Sequence, residues 1–358
     1  MISKTDIFIK KIKQTLEDDI LKYWSVMQDP MGGFFSDWKE DGTADKDAPR
    51  DVVRNSHILW AFSTAYRRLK KKEFLLPAIN AKDYYLAHCL DHKFGGAFMT
   101  VDKEGEKLDT TATLMAQAYS ILALCEFYAA TKDEEAIKNA VNIYKIVEKE
   151  FHDSKNRGYF EEKTRDYKLT DGNKDLKSHI HLLEAYAALY KIWKDESIRL
   201  RTKELIDLII EKFFNPESGH LYIRFDENWN LIKEGASYGN DFEASWLLMD
   251  CAYALKDIEY INKVKNVSAR LAKAGMEGWQ EDGSIHCYGN ENVKVWVQAE
   301  SIVANLCAWK YHSDGEGAAH ALKTWEFLKS HPSIDNDHLH DHPYHSTNLC
   351  IQVLNLFR

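Results

Sequence analysis

Apolar positions along the chain recur with helical rather than strand periodicity. In residues 55–69, Ile58, Leu59, Phe62 and Tyr66 follow the three- and four-residue steps that line one face of a helix. The same reading predicts a second helix over 74–90. It then predicts pairs over 111–130 and 134–151, 178–193 and 198–214, 241–255 and 260–274, and 297–311 and 317–330. One helix is left at each end, over 6–24 and 345–357, and together they supply a sixth pair. Side-chain oxygens of Thr131 and Asp133, and of Asp195 and Ser197, stand at the predicted starts of second helices and suit capping.

Between pairs a glycine-aromatic signature returns. It reads Gly32-Gly33-Phe34, Gly95-Gly96-Ala97-Phe98, Arg157-Gly158-Tyr159-Phe160, Gly219-His220-Leu221-Tyr222 and Gly283-Ser284-Ile285-His286. Its second residues fall at 33, 96, 158, 220 and 284, a period of about 62 residues. Even repetition of this kind means stacked, similar supersecondary units. Alternating segments such as Ser284-Ile285-His286-Cys287 predict short hairpins between the units. Prolines number only 6, and no Ser/Gly/Pro-rich linker interrupts the chain. The expected fold is therefore all-α: an (α/α)6 barrel of six helical hairpins with short β-hairpin connections, in one domain over 1–358. An open superhelix would need polar capping repeats, and neither end helix has that pattern.

Composition narrows the partners. Hydrophobic residues make 45% and charged residues 29%, which is ordinary for a globular protein. The net charge of −9 with scattered basic residues argues against nucleic acid or an anionic membrane. No apolar run reaches spanning length, and the opening Met1-Ile2-Ser3-Lys4-Thr5-Asp6 is not expected to be a secretory leader. Cys89, Cys125, Cys251, Cys287, Cys307 and Cys350 lie far apart with no CxxC pair. They read as reduced thiols of a cytoplasmic protein.

Candidate chemistry gathers at the starts of the first helix of each pair. These read Arg54-Asn55-Ser56-His57, Lys177-Ser178-His179-Ile180-His181, Asn240-Asp241-Phe242-Glu243, Gln298-Ala299-Glu300 and His345-Ser346-Thr347-Asn348. In an (α/α)6 barrel such helices line the inside and run in one direction, so their starts are expected to converge at one mouth. Capping alone explains a polar residue at any single start, but histidine and glutamate are poor caps. Trp60, Trp246, Trp296 and Trp309 lie on the same helices. Their faces suit the C–H faces of sugars, and at helical spacing each also suits a core. Trp296 is the strongest of the four because it stands at a helix start.

These segments resemble the N-acylglucosamine 2-epimerase family, which includes cellobiose 2-epimerases and aldose–ketose isomerases. The matching residues are Asn55-Ser56-His57-Ile58-Leu59-Trp60, His179-Ile180-His181-Leu182-Leu183-Glu184-Ala185-Tyr186, Ser237-Tyr238-Gly239-Asn240-Asp241-Phe242-Glu243-Ala244-Ser245-Trp246-Leu247-Leu248, Trp296-Val297-Gln298-Ala299-Glu300 and Pro343-Tyr344-His345. The resemblance implies a cofactor-independent isomerase acting on a mono- or disaccharide. Such an enzyme removes the C2 proton of an open-chain aldose and passes through an enediol. A base with a pKa near neutrality suits this step, which favours histidine. The resemblance further implies His345 as an acid–base group, His181 as a pocket histidine and Glu243 as an orienting carboxylate. Trp296 and Glu300 match pocket and support positions, and Tyr344, Lys177 and Asn55 join them as candidate substrate contacts.

The chain departs from the family pattern at three places. The family's Ser-Tyr-Gly-His here ends in Asn240, its carbonyl-contacting arginine is His57, and its asparagine before the His-x-His segment is Lys177. Asparagine cannot exchange a proton at neutral pH, so Asn240 is expected to bind substrate and His57 to act as the partner acid–base. A sugar-binding protein without catalysis is one alternative. A glycoside hydrolase on the same barrel is another, with Asp241, Glu243, Glu300 and Asp341 as candidate carboxylates. His338, His340 and His342 could bind Zn²⁺ or Ni²⁺, but no metal or other cofactor is expected in the chemistry. No phosphate loop or dinucleotide fingerprint occurs. A monomer or homodimer is expected.

Overall fold

The computed structural model describes residues 4–39, 43–233, 235–290 and 292–357. The opening Met1, Ile2 and Ser3 lie outside these. Helices follow the predicted order. A helical segment opens the chain as α1 (Lys4–Gln14), widens into a π-helical stretch over Thr15–Leu21 and ends as α2 (Lys22–Val26). Then come α3 (Val52–Leu69) and α4 (Leu75–Tyr84), α5 (Leu114–Thr131) and α6 (Glu134–Ile146), and α7 (Leu176–Ile192) and α8 (Glu196–Leu208). The last are α9 (Tyr238–Leu255) and α10 (Ile258–Gly275), α11 (Val295–His312) and α12 (Gly317–Ser330), and α13 (Pro343–Leu356). No helix among the described residues is long and apolar enough to cross a membrane.

Backbone contacts divide the chain into two compact units. The terminal unit holds Met1–Tyr23, Ile206–Ile223 and Lys233–Arg358; the middle unit holds Trp24–Leu205 and Arg224–Ile232. In the middle unit α5 packs between α3 and α7. In the terminal unit α11 packs between α9 and α13, and α13 also packs on α1 and on Thr15–Leu21. The helices at the two chain ends therefore do form the sixth pair.

Two details differ from the sequence pattern. Three first helices, α3, α7 and α9, begin two to three residues earlier than predicted and α5 three residues later, because their caps are Asp51, Asp175, Ser237 and Thr113, each accepting a backbone N–H from the third residue on. The polar residues read as helix starts thus lie inside the first and second turns rather than at the boundary. Three second helices end in a π-helical turn, over Tyr85–Cys89, Val147–Phe151 and Ile209–Phe213. The extra residue per turn blurs the 3.6-residue periodicity there.

The glycine-aromatic turns are closed by single antiparallel bridges: Gln28 with Phe34, Leu90 with Ala97, His152 with Tyr159, Phe214 with Leu221, and Trp279 with Ile285. Four of them are clamped by one side chain from the following first helix, always the fourth residue after its cap. Gln117 accepts from Ala97 N at 2.7 Å and donates to Ala97 O at 3.0 Å. Gln298 does the same to Ile285 at 2.7 and 2.8 Å. His179 Nε2 accepts from Tyr159 N at 3.1 Å, and Asp241 Oδ1 accepts from Leu221 N at 3.0 Å. Gly96 shows how tight the clamp is. Its φ is +77°, and a Cβ there would lie 2.7 Å from Gln117 Oε1.

His179 holds its place as the neutral ring. Its Nδ1–H donates to Asp175 O at 2.7 Å, much as Gln117 Nε2 donates to Thr113 O at 3.2 Å. Burial, with the nearby Lys174 charge adding to it, pushes the His179 pKa down from 6.5 to about 4. Between these values the unfolded chain binds a proton that the folded chain refuses. The contribution to stability is therefore full above pH 6.5 and is lost as pH falls toward 4, and it reaches about 3 kcal/mol at most. We expect His179→Gln to keep the clamp, as Gln117 does. Thermal melts across pH 4.5–7 should show a shallower acid-side fall in Tm for the variant than for the wild type; parallel curves would reject this account.

Candidate active site

The sixth residue after each first-helix cap, two beyond the clamp, carries most of the candidate chemistry. In the middle unit these are His57 on α3, Tyr119 on α5 and His181 on α7. They form a chain of contacts. The His57 ring meets Tyr119 edge-on at 4.1 Å, and the Tyr119 hydroxyl hydrogen-bonds His181 Nε2 at 2.8 Å. His181 Nδ1 lies 3.5 Å from Glu184 Oε2, one helical turn further along α7. The hydroxyl thus bonds one ring nitrogen of this buried histidine, and the carboxylate lies near the other. His57 is half-buried and so keeps part of its surface accessible.

In the terminal unit the sixth residues are Glu243 on α9 and Glu300 on α11, buried at 1% and 0% exposure. Glu300 is a shared acceptor. Its Oε2 takes the Trp246 indole N–H at 2.7 Å and its Oε1 takes His345 Nδ1 at 2.7 Å. Glu243 Oε1 lies 3.9 Å from the same nitrogen. With Nδ1–H committed to Glu300, proton exchange at His345 falls to Nε2. The Trp296 ring stands 5.5 Å from the His345 ring, and Tyr344 meets that ring edge-on at 5.1 Å. Gly239 makes room for Trp296, since a Cβ there would lie 2.3 Å from the indole. Asn240 is buried at 2% exposure, and among the described residues no donor reaches its Oδ1.

Other predicted positions serve different ends. Asn55 is buried, and its amide nitrogen donates to Ser36 Oγ at 3.2 Å and Asp51 O at 3.0 Å. Tyr344 is fully buried and packs against the His345 ring. Lys177 is exposed. Trp309 stacks on Phe357 at the far end of α11, away from the helix starts. Among the carboxylates considered for hydrolysis, Asp241 is fully buried and accepts from His220 Nδ1 at 2.7 Å as well as from Leu221. Asp341 holds His338 N at 2.8 Å, and Glu243 and Glu300 converge on one imidazole. All four are engaged in positioning protein groups rather than flanking a bond to be cut. Glu243, Glu300 and His345 also offer three potential ligand atoms within 4.8 Å of one another, but the indole donating to Glu300 suits a hydrogen-bonded carboxylate better than a metal ligand.

Tyr119 and Glu184 were not anticipated as parts of the histidine cluster. The signal was available: His57, Tyr119, His181 and Glu243 are spaced by 62 residues, the period of the turns.

The family model described as N-acylglucosamine 2-epimerase (GlcNAc 2-epimerase) matches residues 33–341. The chain belongs to the N-acylglucosamine 2-epimerase family. The cellobiose 2-epimerase of Bacteroides fragilis is 30% identical over 393 aligned positions, covering 98% of this chain and 99% of the relative. The D-mannose isomerase of Marinomonas mediterranea is 24% identical over 338, covering 88% and 84%. The solved cellobiose 2-epimerase of Bacillus thermoamylovorans superposes with a TM-score of 0.93 at 27% identity, covering 98% of this chain and 99% of that one. The member of the family described here thus has the (α/α)6-barrel fold.

The Glu300 arrangement makes a direct prediction. Glutamine at this position cannot accept from both Trp246 and His345, so one contact breaks or the imidazole changes tautomer. ¹⁵N shifts of His345 should report Nδ1–H in the wild type and a shift toward Nε2–H, or tautomer mixing, in Glu300→Gln. An unchanged spectrum would show that Glu300 does not set the ring.

Proposed function

We propose that this chain is a cofactor-independent sugar 2-epimerase or aldose–ketose isomerase, with His345 as its principal acid–base group. The observation that carries the reading is the His345–Glu300–Trp246 arrangement. A buried carboxylate, itself fixed by an indole N–H, orients a partly exposed imidazole and leaves Nε2 to exchange protons. This is the pattern by which a carboxylate holds a catalytic histidine in one tautomer. The carbonyl next to C2 makes the C2 proton acidic, so removing it to give an enediol requires a positioned base and no redox partner. Return of the proton to C2 gives the epimer, and return to C1 gives the ketose.

The half-buried Trp296 beside His345 offers an aromatic face suited to a sugar ring. The buried Asn240 Oδ1 suits a sugar hydroxyl, because an acceptor left without a donor costs about 1–3 kcal/mol. His57 is the proposed second proton carrier, with Tyr119 linking it to His181, and Lys177 a substrate contact. The substrate is proposed to be a mono- or disaccharide, and cellobiose is the first to test because curated relatives bear that name. A cytoplasmic location and a monomeric or dimeric state complete the reading.

Incubation in D₂O with cellobiose, mannobiose, mannose, glucose and N-acetylhexosamines tests it. Deuterium at C2 of an epimer, or at C1 of a ketose, is the expected result. His345→Ala should slow exchange by about 10²-fold or more. Full exchange in that variant would remove His345 from its role. No exchange with any of these sugars would favour a binding protein, and release of a reducing sugar would favour a hydrolase.

A further inference from the structure

The histidines before and at the start of α13 are sorted by the structure into separate sets. His342 Nε2 bonds Asp337 Oδ1 at 2.7 Å, and His345 belongs to Glu300. His338 and His340 instead converge on Asp341. His338 Nδ1 lies 3.3 Å from Asp341 Oδ2, and His340 Nε2 lies 3.7 Å from Asp341 Oδ1. One ligand atom from each of the three residues falls within 4.8 Å of the others. A tetrahedral ion with bonds of about 2.0–2.1 Å holds its ligand atoms about 3.3–3.4 Å apart. The cluster is thus close to that geometry already, and His338 is exposed enough to rotate inward.

The surroundings prepare it further. Asp341 is 9% exposed and is anchored by the His338 backbone N–H. Tyr23 stacks on the His340 ring at 4.0 Å with an interplanar angle of 26°, and His338 lies 4.9 Å from it at 15°. While His340 turns Nε2 to Asp341, its Nδ1 faces Asp19 Oδ1 at 3.8 Å, and Lys329 Nζ sits 3.9 Å from the other Asp19 oxygen. A carboxylate behind the non-ligating nitrogen is the usual support of a metal-bound histidine.

We propose that His338, His340 and Asp341 bind one borderline divalent cation, Zn²⁺ foremost, with Asp19 orienting His340. Two imidazoles and one carboxylate suit Zn²⁺, Co²⁺ or Ni²⁺ and not Mg²⁺ or Ca²⁺, whose ligands are oxygens. Three protein ligands leave a position for water. The site is structural: it ties the turn over Leu339–Asp341, which leads into α13, to the helical segment containing Asp19. It lies outside the sugar chemistry and does not rest on it.

Calorimetric titration of the metal-free full chain with ZnCl₂ tests the proposal. One equivalent should bind saturably, with a rise in Tm, and a His338→Ala/His340→Ala double variant should lose that binding. Asp19→Asn should weaken it by about 10-fold. His342→Ala should retain it. No saturable Zn²⁺ binding, or binding that survives the double variant, overturns the proposal. So does binding abolished by His345→Ala, which would move the ion to the Glu243–Glu300–His345 cluster. Circular dichroism of each variant separates loss of the site from loss of the fold.

Discussion

The clamp from four of the first helices onto the preceding glycine-aromatic turn is the constraint on which the rest depends. Backbone groups of a buried turn must find partners, and here one side chain per repeat supplies them. Gln117, His179, Asp241 and Gln298 all stand four residues past a helix cap and all accept the same turn N–H. This fixes both the depth and the rotation of each helix. Two residues on, at about 200° around the helix, the side chain points to the opposite side. That sixth position carries His57, Tyr119, His181, Glu243 and Glu300. The clamp thereby sets the register of the candidate chemistry without taking part in it.

Glu300 turns this register into chemistry in the terminal unit. A fully buried carboxylate is costly unless its oxygens are bonded. Trp246 from α9 and His345 from α13 supply the donors, so three helices meet at one side chain. The same bonds that offset the burial fix the imidazole tautomer. Stability and the orientation of the His345 ring therefore have one cause. In the middle unit Tyr119 touches two histidines, its hydroxyl bonding His181 and its ring meeting His57 edge-on.

Much of the fold was legible because its markers are local. A glycine-aromatic turn and a helical stripe are properties of short segments, and the 62-residue period counts the repeats directly. Helix starts were placed too late because polar residues in the first turns were read as the boundary. The caps Asp51, Asp175 and Ser237 sit behind them in segments with no apolar pattern. The candidate site was legible in part. His345, Glu300 and Glu243 do lie together, whereas the full burial of Tyr344 and the bonds of the Asn55 amide nitrogen could not be read from the sequence. Periodicity reports which residues are buried and not what each is bonded to.

The repeat itself separates structural from chemical positions. At the clamp, glutamine, histidine and aspartate interchange because each answers one demand, an acceptor for a fixed N–H. At the sixth position histidine, tyrosine and glutamate share no one partner, since an imidazole, a phenol and a carboxylate bond differently and cannot replace one another. Variation under a shared partner marks the frame, and variation without one marks the site. By that criterion His179 and Asp241 belong to the frame although they are the residue types a catalytic search would choose. Tyr119 falls with the candidate site although nothing in its local sequence sets it apart.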